Sequence, residues 1–368
     1  QVADVAVAWG RGARCRVRPD LGELATPGRL GPSREMPTGQ LADEILTPGQ
    51  GQVKALFVIA GNPIMAWPDQ EKALAAMKDL ELLVCIDPYI SATAELADYV
   101  LAPKLTLERE DVTLLSDAWY EKPYSQYSRA VIESEHDVIE EWELYWAIAD
   151  RMNLEISIGR SVVPNQPKPE KFDLLKAITK GSRVDLDWLR NNPGGHIFED
   201  VVSEVQPGPE GALGKLKLYP EGVNEEFAEL RAEPGSNADF PHLLIGFRSK
   251  YVLNSFGHNL PELKKKSGTT NPAHLHPEDL AALGIEDDDE VQIASAHGQI
   301  SAIVKADAKI KPGVIAMHHC WGLSPDKQGS VRENGANTNL LVSSETDIQR
   351  YTGMTRSSSI PVRIKKSA

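Results

Sequence analysis

Between residues 53 and 101 short apolar runs alternate with segments of helical spacing, and this alternation limits the fold more than any other feature. Residues 53–60 read as a strand that stops at Gly61-Asn62-Pro63. Leu74, Met77 and Leu80 then recur at helical spacing within 69–80. Residues 82–86 read as a second strand, ending at Asp87-Pro88. Residues 93–97 open another helix, and "DYVLA" is a third strand. The order βαβαβ predicts a parallel sheet with helices packed on it. The stretch "DVIEEWELYWAIADRMNL" reads as an amphipathic helix, with Trp142, Tyr145, Trp146, Ala149 and Met152 on one side.

From residue 240 onward the texture changes. "HLLIGF", "EVQIASAHGQISAIVKAD", "GVIAMHH" and "IPVRIKK" are short strands of near-alternating polarity, and "PEDLAALGI" is a short helix ended by Gly284. Such a pattern predicts a compact β-barrel. The expected organisation is an irregular segment over 1–45, an α/β domain over 46–155, a surface connector with one or two short helices over 156–239, and the barrel over 240–368. Gly10-Arg11-Gly12 lacks the third glycine and the following helix of a dinucleotide motif, and reads as a loop.

The 368 residues are 41% apolar and 25% charged, which suits a globular protein of two or three domains. A net charge of −14 repels nucleic acid and anionic membrane alike, so neither is an expected partner. No run of about 20 apolar residues is present to insert into a bilayer. Cys15, Cys85 and Cys320 are dispersed and form no Cys-x-x-Cys, so this chain alone builds neither a zinc ribbon nor an iron–sulfur cluster. A reducing cytoplasm is the simplest compartment. The chain opens with Gln1 and no signal-peptide pattern, and we expect a piece of a longer protein.

In an open parallel sheet, ligands bind beyond the carboxyl ends of the strands. Two consecutive strands end there in Gly61-Asn62-Pro63 and Asp87. A glycine admits close approach, and a carboxylate accepts two adjacent N–H donors such as those on the N1 and N2 edge of guanine. Ser91 and Thr93 follow, placed to cap a helix or to touch a ribose or phosphate. A tight turn with a capping aspartate is the plainer alternative. Arg248, Asn254, Ser255, His258 and Asn259 crowd an aperiodic stretch after a strand, which reads as a binding loop or a solvated loop. Vicinal His318 and His319 point apart in an extended chain and do not share a metal. Cys320 beside them is a weak nucleophile candidate, and a strand end presenting polar groups is the preferred reading. Asn337 and Asn339 lie on one side of an extended segment and form an amide pair suited to a heterocycle edge. No paired carboxylates and no Ser/His/Asp arrangement emerge, so no catalytic residue is assigned.

In this order the pieces resemble the C-terminal half of the molybdopterin oxidoreductases of the dimethyl sulfoxide reductase superfamily, nearest to formate dehydrogenase-like members. The motifs are "LADEILTPGQGQVKALFVIAGNPIMAWPD", "LLVCIDPYISATAELADYVLAPKLTLERED", "LIGFRSKYVLNSFGHNLPEL" and "LHPEDLAALGIEDDDEVQIAS…GQI…KPGVIAMHHCWG". Together they cover about residues 36–155 and 240–364. The resemblance implies half of a parallel-sheet α/β domain followed by a double-psi β-barrel, holding bis-molybdopterin guanine dinucleotide with molybdenum or tungsten. Matching motif positions are Gly61, Asn62, Pro63, Asp87, Ser91, Arg248, Asn254, Ser255, His258, Asn259, His276, Asp279, His319, Trp321 and Asn337, with Asp87 on the guanine. The family often has His-Gly-Trp-Gly where this chain has His319-Cys320-Trp321-Gly322. The 4Fe-4S cluster and the metal ligand belong to the family's N-terminal half, which no segment here matches. The implied partners are that half, in the same protein or in a separate chain, and electron-transfer subunits. The competing expectations are a cofactor-free structural subunit of a respiratory-type complex and an unrelated nucleotide-binding α/β protein.

Overall fold

The computed structural model describes residues 38–49, 51–114, 120–158, 161–201, 219, 222–233, 235–348 and 353–367. The glycine-rich "GRG" stretch lies outside them. The chain divides into two compact units, one of residues 1–100 with 231–368 and the other of 101–230.

In the first unit, helix α1 (Leu41–Leu46) precedes strand β1 (Ala55–Ile59), the one-turn helix α2 (Pro63–Ala66), helix α3 (Gln70–Asp79) and strand β2 (Leu82–Ile86). Strand β3 (Tyr99–Leu101) completes a sheet of order β1-β2-β3. β1 and β2 are parallel, in register from Ala55 opposite Leu82 to Ile59 opposite Ile86, as the apolar runs predict. Helix α3 starts at Asp69, whose carboxylate accepts from Lys72 N–H, and turns Ala73, Leu74, Ala76 and Met77 inward. The helix expected at 93–97 is only a 3-10 turn, Ala94–Leu96.

The second unit holds β4 (Asp111–Val112), β5 (Tyr124–Ser125), β6 (Tyr127–Ser128), α4 (Glu141–Arg151), β7 (Ile156–Ile158), β8 (Ser161–Val163), α5 (Lys171–Ile178), α6 (Leu186–Asn191) and β9 (His196–Ile197). The sequence places a domain boundary at 155 and a mere connector after it. Instead, Leu175, Leu186 and Leu189 of α5 and α6 bury against Val112 and Tyr127 to make a separate core. β5 pairs with β9 across more than 70 residues, a contact no local periodicity reveals. The amphipathic helix appears as α4, yet none of its side chains is fully buried, and Met152 just after it is 63% exposed.

Helix α7 (Val223–Ala232) leads into the barrel: β10 (His242–Phe247), α8 (Pro261–Ser267), β11 (Ala273–Leu275), α9 (Pro277–Leu283), β12 (Glu290–Ala294), β13 (Gln299–Ala306), β14 (Val314–His318), α10 (Val331–Asn334) and β15 (Ile360–Lys366). The strands close in the order β10-β14-β11-β13-β12-β15. Leu275, Val291, Ile293, Ile315, Met317 and Val362 fill the interior, and the alternating sequence places their polar neighbours outside. Gly284 ends α9 in the left-handed region, as expected of a C-cap glycine.

The sequence reading missed Asn271, which is 1% exposed. Its amide donates to the carbonyls of His318 (2.7 Å) and Ala336 (2.8 Å), and its oxygen accepts from Ala336 N–H (2.7 Å). It therefore ties the end of β14 to the segment that follows α10. Asn271→Ala strands three buried backbone groups and lowers unfolding stability by roughly 3 kcal/mol or more. Asn271→Asp does not restore it, because a carboxylate lacks the two N–H donors. Urea unfolding of both variants checks this.

Candidate functional site: a polar edge where sheet and barrel loops meet

Ile59 and Ile86 are register partners, so Gly61 and Asp87 leave the sheet at the same edge. Ala60, just before the glycine, is held in the left-handed region at φ 49°, and its N–H donates to Ile86 O at 2.9 Å. The Asn62 side-chain oxygen accepts from the Thr93 hydroxyl at 2.9 Å, and that hydroxyl accepts in turn from Ile64 N–H at 3.1 Å. Thr93 is fully buried, so it serves as a lock behind the loop and fixes the Asn62 side chain through its oxygen. The ribose or phosphate contact considered for Thr93 is thereby excluded. Pro63 is buried at the first position of α2.

Asp87 accepts from Tyr89 N–H at 2.9 Å. Burial pushes its carboxyl above the ordinary carboxylate range, against the lowering effects of Tyr89 N–H and the Ser91 hydroxyl. Ser91 also accepts from Ala94 N–H at 3.2 Å. The Asp87 loop reaches the barrel loop 254–259 through Tyr89, whose ring lies 6.1 Å from that of Phe256. In that loop Leu253 and Phe256 bond reciprocally around Asn254 and Ser255, with Asn254 left-handed at φ 53°. Asn259 is exposed at its end.

The end of β14 supplies the other side. His319 Nε2 lies 3.0 Å from the Asn254 side-chain oxygen and 3.3 Å from an Arg248 guanidinium nitrogen, and Arg248 also donates to Asn254. Cys320 is left-handed at φ 61° and drops its side chain into the apolar core formed by Val58, Ile64 and Cys85. That backbone conformation suits glycine, which explains the glycine common at this place in the resembling family. Burial pushes the Cys320 thiol to about 11, so it stays protonated and is no nucleophile. Trp321 packs edge-on against His258, with ring centroids 4.2 Å apart. Both Trp321 Nε1 and His258 Nε2 are buried without a hydrogen-bonding partner among the described residues.

Three expected residues stand apart. His276 caps α9 by accepting from Glu278 N–H at 3.2 Å, and Asp279 accepts from Gly313 N–H at 2.8 Å. Gly313 precedes β14 and His319 follows it, six residues and about 20 Å further along at ~3.4 Å per residue. His276 and Asp279 therefore belong to the opposite end of the barrel. Asn337 is 2% exposed and accepts from Asn339 N–H, while Asn339 donates to Met65 O at 3.0 Å. This amide pair fastens the barrel to α2 and offers no open edge to a heterocycle.

What remains at the edge is chemically coherent. A desolvated carboxylate awaits N–H donors, a guanidinium awaits an anion, and two buried ring nitrogens await partners. An unpartnered buried polar group costs about 1–3 kcal/mol, which a ligand carrying matching groups would offset. These residues fit an organic ligand that combines negative charge with a donor edge, and among the described residues no cluster of ligating side chains suits a metal ion.

Burial holds His242, His258, His318 and His319 below the ordinary imidazole value. The native state therefore binds fewer protons than the unfolded chain. Their contribution is fully present above the unfolded value of about 6.5 and is lost as pH falls through the folded values. Asp87, raised, acts in the opposite sense. Unfolding midpoints should drop between about pH 7 and pH 5, and His258→Gln should flatten part of that drop. Separately, Thr93→Val removes the lock on Asn62 and costs about 1–3 kcal/mol, whereas Thr93→Ser retains it, as thermal melts will show.

Comparison with known proteins agrees with this architecture. Residues 25–151 match the family Molybdopterin oxidoreductase, and residues 243–358 match the family Molydopterin dinucleotide binding domain. Acetylene hydratase of Syntrophotalea acetylenica is 25% identical over 295 residues, covering 75% of this chain and 38% of that protein. Trimethylamine-N-oxide reductase of Haemophilus influenzae is 23% identical, covering 77% and 39%. The F420-dependent formate dehydrogenase 1 subunit alpha of Methanococcus maripaludis is 25% identical, covering 74% and 39%. The solved acetylene hydratase from Pelobacter acetylenicus superposes with a TM-score of 0.67 at 20% identity, over 90% of this chain and 46% of that one. The chain thus spans about two fifths of the length of the curated relatives it matches. With a molybdopterin oxidoreductase domain and a molydopterin dinucleotide-binding domain in consecutive order, the chain belongs to the molybdopterin oxidoreductases of the dimethyl sulfoxide reductase superfamily.

Proposed function

We propose that this chain is the cofactor-binding part of a molybdenum- or tungsten-dependent oxidoreductase, and that its polar edge holds bis-molybdopterin guanine dinucleotide. The observation that carries this reading is the convergence of the desolvated Asp87 carboxylate with the unpartnered Trp321 and His258 nitrogens and the Arg248–Asn254–His319 cluster. Asp87 would accept the N1–H and N2–H donors of guanine. Gly61 and Asn62 would meet its nucleotide portion, and Arg248, His258, His319 and Trp321 its anionic and pterin portions. Asn254 would orient His319, and Ser91 would hold the Asp87 loop. When bound, the cofactor supplies the redox-active metal, while these side chains bind and orient it.

The reaction we favour is formate oxidation, supported by formate dehydrogenase alpha subunits of two methanogens among the relatives, at 25% and 23% identity. We read the barrel as a double-psi barrel and the compartment as the cytoplasm. No helix among the described residues is long and apolar enough to cross a membrane. The metal ligand and a 4Fe-4S cluster would come from an N-terminal half, carried on the same polypeptide or a separate chain, with electron-transfer subunits beyond it.

Asp87→Ala in the complete protein should lower guanine and metal content about tenfold or more, since a charged hydrogen bond contributes about 1.5–3 kcal/mol. Asp87→Asn should fall between, because it keeps one acceptor and adds a misplaced donor. Thermal melts of the metal-free proteins should coincide. Retention should also weaken as pH falls through the raised carboxyl value and the acceptor becomes protonated. Full guanine content in Asp87→Ala, or absence of metal and pterin from the wild-type protein, would overturn the reading. Formate-dependent dye reduction by the complete protein tests the substrate separately.

A further inference from the structure

A cleft of about 510 Å³ lies wholly within the second unit and shares no residue with the polar edge. Its volume is in the usual range for small-ligand sites, about 300–1,000 Å³. Charged side chains dominate the lining, and most of them are already engaged. Glu140, 6% exposed, accepts from Lys104, Lys171 and the Trp142 indole. Glu143 pairs with Lys168, and Arg109 is held by both oxygens of Glu141.

Among the cations of the lining, Lys104, Arg109, Lys168 and Lys171 are paired, whereas Arg129 and Arg190 form no ion pair among the described residues. The Arg190 guanidinium lies over the Phe172 ring at 4.3 Å from its centroid, and Phe172 in turn stands edge-on to Tyr127 at 5.9 Å. Arg129 donates to the Arg190 backbone carbonyl at 2.9 Å, which anchors it on the same wall. Both positive charges act on the Tyr127 hydroxyl, whose hydrogen is directed to Glu110. Two guanidiniums are thus gathered at one place, one fixed by stacking and the other by a backbone bond. Their remaining N–H donors reach no carboxylate within ion-pair distance among the described residues. A guanidinium fork binds carboxylate and phosphate oxygens bidentately, and two adjacent forks supply the two positive charges that a dianion, but not a monocarboxylate or a halide, can use in full.

We propose that this cleft is an anion-binding site in which Arg129 and Arg190 hold a dianionic tetrahedral oxyanion of the phosphate class. Glu110, bonded to Tyr127 beside the two arginines, is the nearest opposing charge on this wall, with Glu108 and Glu170 elsewhere in the lining, and it sets the affinity low enough for exchange. The site stands on the second unit's own residues and does not depend on the polar edge or its ligand.

Calorimetric titration of the complete protein with inorganic phosphate, at ionic strength fixed with sodium chloride, provides the test. The expected result is saturable binding with one phosphate per chain, while sodium acetate gives no more heat than chloride. Arg129→Gln and Arg190→Gln should each weaken binding about tenfold or more. Glu110→Gln should tighten it by removing the opposing charge. Lys122→Gln, which removes a lysine outside the cleft that pairs with Glu199, should leave it unchanged. If loss of Arg190 from Phe172 lowers the melting temperature, Arg129→Gln alone carries the comparison. Phosphate heats equal to those of chloride, wild-type affinity in Arg129→Gln, or equal weakening by Lys122→Gln would overturn the proposal.

Discussion

A left-handed turn at Cys320 is the contact on which the first unit depends. Barrel strand β14 ends at His318, and two residues later the chain inserts a thiol among the residues packed beneath β1 and β2. A non-glycine residue in this conformation costs about 1 kcal/mol or more. Burial of the sulfur in an apolar core offsets that cost. Around this insertion, Gln70 donates to Leu323 O, Asp69 N–H donates to Asn339 O, and the Ser344 hydroxyl donates to Asp69. The sheet edge and the barrel loops are therefore joined within one compact unit, which brings Asp87 and His319 to the same side of it. Gly322 follows at φ 94°, where a Cβ would fall 2.6 Å from Asn337 N, so the turn tolerates no side chain there.

Packing explains how so many polar groups can remain without partners. His258 and Trp321 cannot swing out to water, because each ring is packed on the other. Ala60, Asn254 and Cys320, all left-handed, lie in three of the four loops that form the edge, and strain of this kind gathers at binding sites. Desolvation of Asp87, His258 and His319 has the same origin. The assembly withdraws them from solvent before a ligand arrives, which strengthens each later hydrogen bond.

Most of the frame was legible in the sequence because it is written locally. β1, β2, β3, α3, α9 and the barrel strands other than β11 follow from periodicity and from stop signals such as Gly61, Asp87 and Gly284. The edge itself followed from the rule that parallel strands deliver their loops to one side. What escaped depends on contacts between distant positions. Asn271 acts on residues 47 and 65 positions away, and its role leaves no mark on its neighbours. Thr93 matters through Asn62, 31 residues earlier. His276 and Asp279 were read by motif position, but motif order does not say which end of a barrel a residue occupies, and the Asn337–Asn339 pair turned out to be used on α2. The second unit went unrecognised because its small core joins Val112 and Tyr127 to helices some 50 residues later.

The central claim is that the edge formed by the Gly61 loop, the Asp87 loop and two barrel loops is a guanine dinucleotide cradle. A structure of the complete protein with its native cofactor tests it most directly. Guanine N1 and N2 should lie within hydrogen-bonding distance of the Asp87 carboxylate, about 2.7–3.2 Å, with Trp321 Nε1 and His258 Nε2 no longer unpartnered. A guanine seated elsewhere, with Asp87 still closing only its own turn through Tyr89, would contradict it.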